Sequence, residues 1–176
     1  RIDSTGVFAL SPTLDTVGPI GRSVADCAVL DAVLRGKNTT VHKVQSLSTM
    51  TFFVPENVVV EDLEKAVSER FEESIAALRN AGAKILRGQL TALDRTMQLT
   101  TDLGTITAAE AYLEHMGLLE SEAVAQIDRR VVARIMIGKS ISASNLQALR
   151  DQREVCVADI ATVLSGAFLL MPTTAH

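Results

Sequence analysis

Ser4 and Ser11, in the loop that opens the chain, are the hydroxyls most easily read as nucleophiles. A serine attacks a carbonyl only when a base takes its proton and backbone N–H groups wait for the oxyanion. Neither has glycine on both sides, and no His or Lys lies close in sequence. Both are expected as turn residues, an ordinary use of serine among prolines and glycines. His42, His115 and His176 are scattered, and Cys27 and Cys156 lie far apart. Metal ligands come clustered at regular spacings, so no metal site is expected, the histidines are assigned to the surface and the cysteines are expected as reduced thiols. No GxGxxG or GxxxxGK run exists, so neither a phosphate cradle nor a nucleotide cofactor is indicated.

Three charged residues have more to say. Asp15 sits in "SPTLDTVGP", a turn-rich run in which a short carboxylate is expected to accept from nearby backbone N–H groups as an Asx-type turn. Glu110 lies in "TAAEAYLEH", where small neighbours let other backbone approach. It is expected to be partly buried and paired, as an ion-pair or cap partner rather than a substrate ligand. Arg134 is the one charge inside "VVARIMIG". A guanidinium among aliphatic side chains needs a carboxylate or carbonyl partner if it is buried. It is therefore expected either to anchor an anionic substrate group or, the favoured reading, to brace a wall by pairing with a carboxylate such as Glu110.

The elements that must position these groups follow from periodicity. Residues 1–21 read as a loop punctuated by Gly6, Pro12, Gly18, Pro19 and Gly21. A helix should start after Ser23, with Asp26 three residues on, and stop at Gly36, its apolar face carried by Val24, Cys27, Leu30 and Val33. "KNTTVHKVQS" is polar and expected to be exposed. "TFFVP" (51–55) predicts a strand, 60–81 a helix with Val60, Leu63, Val67, Phe71, Ile75 and Leu78 on one face, and "AKILR" (83–87) a second strand. Glu61, Asp62 and Glu64 suit the first turns of that helix, Glu61 pairs with Lys65 at i,i+4, and together the segments predict a βαβ unit. Helix is predicted again from 90 to about 115 with a break at Gly104, over "DRRVVARIMIG" to Gly138, and over 142–165 capped by Ser142 or Ser144. "FLLM" (168–171) predicts a last buried strand.

The chain has 176 residues, is 47% hydrophobic and carries a net charge of −4. It is a helix-rich α/β chain long enough for one domain with a real core, built from aliphatic side chains because aromatics make up only 3%. An acidic balance does not favour nucleic acid or an anionic membrane. No apolar run approaches the ~18 residues that span a bilayer, and there is no signal peptide, so a cytoplasmic protein is expected. Three strands are few for a covered sheet, and the apolar ends do not taper into polar tails. A domain cut at both ends is expected, with unpaired strand edges that leave homo-oligomerisation open.

"GVFALSPTLDTVGPIGRSVADCAVLDAVLRG" closely resembles the segment that follows the glycine- and serine-rich signature of the amidase signature family. "AALRNAGAKI", "AAEAY", "ARIMIGKSISAS" with "ALRDQR", and "LLMPTTA" resemble later landmarks of that family in the same order, so the similarity runs over all of residues 1–176. The resemblance implies a partial amidase domain, the helix-rich portion of a large α/β/α sandwich around a mixed sheet. It implies hydrolysis of a non-peptide amide, or transfer of its nitrogen. A Ser nucleophile, a second Ser in a cis peptide and a Lys would supply the catalysis, and N–H groups of a glycine-rich loop the oxyanion hole. No GGS or GSS occurs in this chain, so those residues are expected upstream of Arg1 and the chain alone is expected to be inactive. The turn around Asp15 would then brace the catalytic loop from behind, and the missing N-terminal half of the fold would be its partner. The "R...G" position matching Arg134 lies near the substrate channel in the family, where transamidation subunits use an Arg on the substrate carboxylate. Asn145-Leu146 and Ala167 depart from the family's usual Asp-Tyr and Asp. Amidase, allophanate hydrolase and amidotransferase subunit remain open, as does a noncatalytic paralogue kept for binding.

Overall fold

The computed structural model describes residues 2–38, 45–57 and 63–175, and these group into two compact units. One unit comprises 1–43 and 104–146, the other 44–103 and 147–176.

The first unit opens with the expected loop and continues into α1, Val24–Leu34. Ser23 is extended, and its hydroxyl accepts from the Asp26 N–H at 3.1 Å, which satisfies one of the orphan donors of the first turn. Gly36 has φ +63, and the Gly36 and Lys37 N–H groups return to the Val33 and Ala32 carbonyls, closing the helix in a Schellman motif. The expected boundaries hold, but the apolar face does not pack: α1 contains no buried residue. α4, Ile106–Leu119, starts at Thr105, whose hydroxyl accepts from Ala108 N–H. α5, Arg129–Met136, starts at Asp128, which accepts from Arg130 N–H at 2.8 Å and from its guanidinium. That side-chain hydrogen bond, with the backbone one, holds the Asp128 carboxyl below its usual range. The cap therefore keeps its charge above the ordinary carboxylate range and for some way below, and is lost only as pH falls through the lowered value. Gly138 does not merely close α5. It lies in the helical turn Ile137–Ser140, buried against the α4 backbone at Ala108.

The second unit is built on a βαβ crossover. β1, Thr51–Pro55, pairs in parallel with β2, Lys84–Gly88, with Thr51 opposite Lys84 and Pro55 opposite Gly88. Between them α2 runs Lys65–Asn80. It starts later than the periodicity predicts: Leu63 and Glu64 precede it, and Val60, Glu61 and Asp62 lie outside the described residues. Of the expected apolar face Ile75 is buried, at 1% exposure, while Val67, Phe71 and Leu78 are half-buried. Gly82, at φ +96, closes it and sends the Ala83 N–H back to Leu78. Lys65 lies 3.7 Å from Glu69, an exposed pair of small worth.

The break at Gly104, φ +91, separates α3, Thr91–Leu103, from α4. α6 runs Ala143–Leu164, with the Ser142 hydroxyl accepting from Asn145 N–H. Asn57, 4% exposed, follows β1 and holds the entry to α3: its amide exchanges hydrogen bonds with Leu90 N–H and C=O and donates to Asp94. β3 is only Phe168–Leu169, parallel to β1, in the order β2-β1-β3. The sequence predicts a buried strand at 168–171. The structure instead leaves Phe168 54% exposed, and among the described residues β3 pairs only with β1.

Large apolar side chains stand in water: Ile20 is 96% exposed, Val24 88% and Phe8 80%. Such surface favours association in general, as do strand edges, and β2 and β3 pair with no further strand among the described residues. Purified residues 1–176 are expected to self-associate with rising concentration and to bind a hydrophobic dye. A monodisperse monomer that binds no dye would contradict this.

Candidate functional site

The opening loop meets α4 at Glu110 and His115. The loop first folds on itself: Leu14 and Asp15 N–H both donate to the Ser11 carbonyl at 2.8 Å. Asp15 then reaches back, its Oδ2 accepting from Leu10 N–H at 2.8 Å and Ser11 N–H at 3.0 Å. Asp15 thus accepts backbone N–H groups as the sequence suggests. It does so four and five residues backwards, so it clasps the loop rather than starting an Asx turn.

Glu110, on α4, holds the clasped loop from outside. Its Oε2 accepts from the Ser11 hydroxyl at 2.7 Å and Thr13 N–H at 3.1 Å, and its Oε1 from the Thr13 hydroxyl at 2.7 Å. Glu110 is 4% exposed and Ser11 1%. Hydrogen bonds to a carboxylate are the strong kind, and several are needed to offset taking the charge out of water. The neighbours of Glu110 on α4, Ala109 and Ala111, are buried as well. Ser11 thus sits where the sequence expects a turn serine, in a loop held by hydrogen bonds. Its hydroxyl proton points at a carboxylate, and the residue is sealed from solvent.

His115 adds another hold and is the residue that sequence reasoning misses. Expected at the surface, it is 8% exposed, with Nε2 2.7 Å from the Ala9 carbonyl oxygen. A carbonyl only accepts, so Nε2 carries a proton. Phe8 stacks on the imidazole at 4.7 Å and 11°. No local pattern could reveal a contact spanning 106 residues. His42 and His176 lie outside the described residues. The loop, fixed from Ala9 to Asp15, partly encloses an open cavity of about 290 Å³ lined by Val7, Phe8, Leu10, Pro12 and Val17.

Arg134 is not brought to this cluster as a buried group. It lies exposed in the last turn of α5, where the sequence predicts partial burial. α5 is short and buries only Ile135, so the aliphatic run around Arg134 is itself largely in solvent, with Val131 at 46% exposure and Ile137 at 60%. The charge of Arg134 helps to lower the Asp128 carboxyl, a turn and a half away. Among the described residues no group of His, Cys, Asp or Glu could hold a metal ion, and no helix is long and apolar enough to cross a membrane.

The family model described as Amidase matches residues 1–176. The A-type subunit of the glutamyl-tRNA(Gln) amidotransferase from Thermotoga maritima is 37% identical over 47% of this chain and 20% of its own length. Its crystal structure superposes with a TM-score of 0.66 at 28% identity, covering 99% of this chain and 41% of that one. The crystal structure of an amidase gives a TM-score of 0.79 at 22% identity over 97% of this chain and 38% of that one. The allophanate hydrolase of Kluyveromyces lactis, as its S177A variant, gives 0.54 at 20% identity over 67% and 19%. The last two likenesses speak for the fold, a helix-rich α/β architecture with a parallel sheet. The chain spans well under half the length of each of these proteins.

Proposed function

Because the chain belongs to the amidase family, we propose that residues 1–176 form the supporting part of an enzyme that cleaves a non-peptide amide C–N bond, converting RCONH2 and water to an acid and ammonia. The observation that carries this reading is the clasped loop. "SPTLDTVGP", the run that resembles the segment after the family's nucleophile loop, is the run that Asp15 and Glu110 hold rigid. The nucleophilic Ser, the bridging Ser and the Lys that the family resemblance implies lie upstream of Arg1 in this reading. There the Ser oxygen attacks the amide carbon, its proton passing through the bridging Ser to a neutral Lys. The C–N bond breaks as the nitrogen takes a proton and leaves as ammonia, and water then hydrolyses the acyl ester. The described residues supply what such chemistry needs from behind: a loop with its backbone donors already committed, so that it does not reorganise during attack.

The likeness to an amidotransferase subunit favours a second version, in which the nitrogen is passed to another acceptor rather than released. Both versions give Arg134 a task. An exposed arginine on α5 is available to pair with an anionic substrate group, bidentately for a carboxylate.

The test is made on the full-length enzyme with acetamide, benzamide and glutamine as amides. Ammonia release from at least one of them is expected, and release from none, with or without partner subunits, would contradict the reading. The Arg134→Met variant is expected to raise KM for glutamine about tenfold or more, the order lost with a charge-assisted hydrogen bond, while leaving neutral amides and the melting temperature unchanged. A melting temperature lowered together with equal losses on all amides would make Arg134 a brace instead.

A further inference from the structure

We propose that Glu110 is a positioning residue for amide cleavage: by holding Ser11 and Thr13 it fixes where the loop, and the chain leading into it, can lie. The inference rests on the amidase reading above. Filling the space beneath the loop would need only an apolar side chain, which costs no desolvation of charge. The structure instead buries a carboxylate and gives it both Thr13 donors and the Ser11 hydroxyl. These bonds join segments 97 and 99 residues apart, so they set tertiary position rather than local turn geometry. Their directions are constrained as well. A carboxylate only accepts, so both hydroxyl protons must point at α4, and Thr13 is held by main chain and side chain at once. Asp15 locks Leu10 and Ser11 to the same turn, and His115 fixes Ala9. The hold therefore propagates from Thr13 back to Ala9, towards the side from which the family's nucleophile loop arrives. A displacement of about 1 Å in a catalytic group can cost on the order of a hundredfold in rate.

The experiment uses the full-length enzyme, with a fluorophosphonate that counts intact active sites and turnover expressed per counted site. Glu110→Leu keeps volume and removes every acceptor. It is expected to lower kcat per site about 10- to 100-fold with KM within about twofold, since the substrate's own contacts are untouched. Glu110→Gln is the conservative rescue. Its oxygen can still accept from Ser11 and Thr13 N–H, and the Thr13 hydroxyl can turn to accept from its NH2, so most of kcat should return. A purely structural Glu110 predicts fewer counted sites with wild-type turnover at each, and that result would overturn the proposal. If Glu110→Leu yields no counted sites, Thr13→Val decides. It removes one hydroxyl and leaves the Thr13 N–H bond, and it should lower kcat per site several-fold; wild-type turnover would overturn the proposal. Absence of labelling in the wild-type enzyme would strike the amidase reading itself, a separate outcome.

Discussion

Replacing Gly138 with alanine is expected to destabilise the chain by about 3 kcal/mol, at the upper end of what overpacking usually costs. A Cβ built at Gly138 overlaps the Ala108 carbonyl oxygen, and it would lie 2.6 Å from the Ala108 carbonyl carbon and 2.8 Å from Tyr112 Cβ. Two of these atoms are backbone inside α4, whose own hydrogen bonds hold them in place. No rotamer change relieves the clash, so α4 and the turn after α5 must separate. For a chain of this length the loss corresponds to a fall of roughly 6–12 °C in melting temperature. Gly117, also on α4, meets nothing within 4 Å. Gly117→Ala should therefore raise stability by about 0.5–1 kcal/mol, as removing a helix-interior glycine does. Opposite signs from the same substitution on neighbouring elements are the expected result. Equal melting temperatures for the two variants would contradict the packing of α4 described above.

How far the sequence could see depends on how far each interaction reaches along the chain. The ends of α1 were legible because Ser23 and Gly36 act on groups within four residues of themselves. The βαβ unit was legible because the stripe through Phe71, Ile75 and Leu78 has a helical period and "TFFVP" and "AKILR" do not. Burial was less so. The pattern marks α1 and residues 168–171 as apolar, but it cannot say whether anything covers them, and within the described residues Val24 and Phe168 remain in solvent. Arg134 fails for the same reason: aliphatic neighbours suggest burial only if they are themselves buried. Glu110 reads as partly buried and paired from its alanine setting, yet the hydroxyls that hold it come from the other end of the chain, which no local pattern shows. His115 had no local signal at all, since its partner is a backbone carbonyl, which every residue possesses.

In the function proposed above, residues 1–176 hold a catalytic loop whose reactive atoms lie upstream of Arg1. Loss of the nucleophile costs on the order of a million-fold in serine hydrolases, so the difference between the chain and the full enzyme should be close to all or none. The direct measurement is mass-spectrometric mapping of a serine-directed fluorophosphonate on purified residues 1–176 and on the full-length enzyme, at equal concentration. The full-length enzyme is expected to label stoichiometrically at a serine upstream of Arg1. The chain alone is expected to remain unlabelled, with Ser11 shielded at 1% exposure and its hydroxyl committed to Glu110. Stoichiometric labelling of Ser4 or Ser11 in either protein would contradict the account.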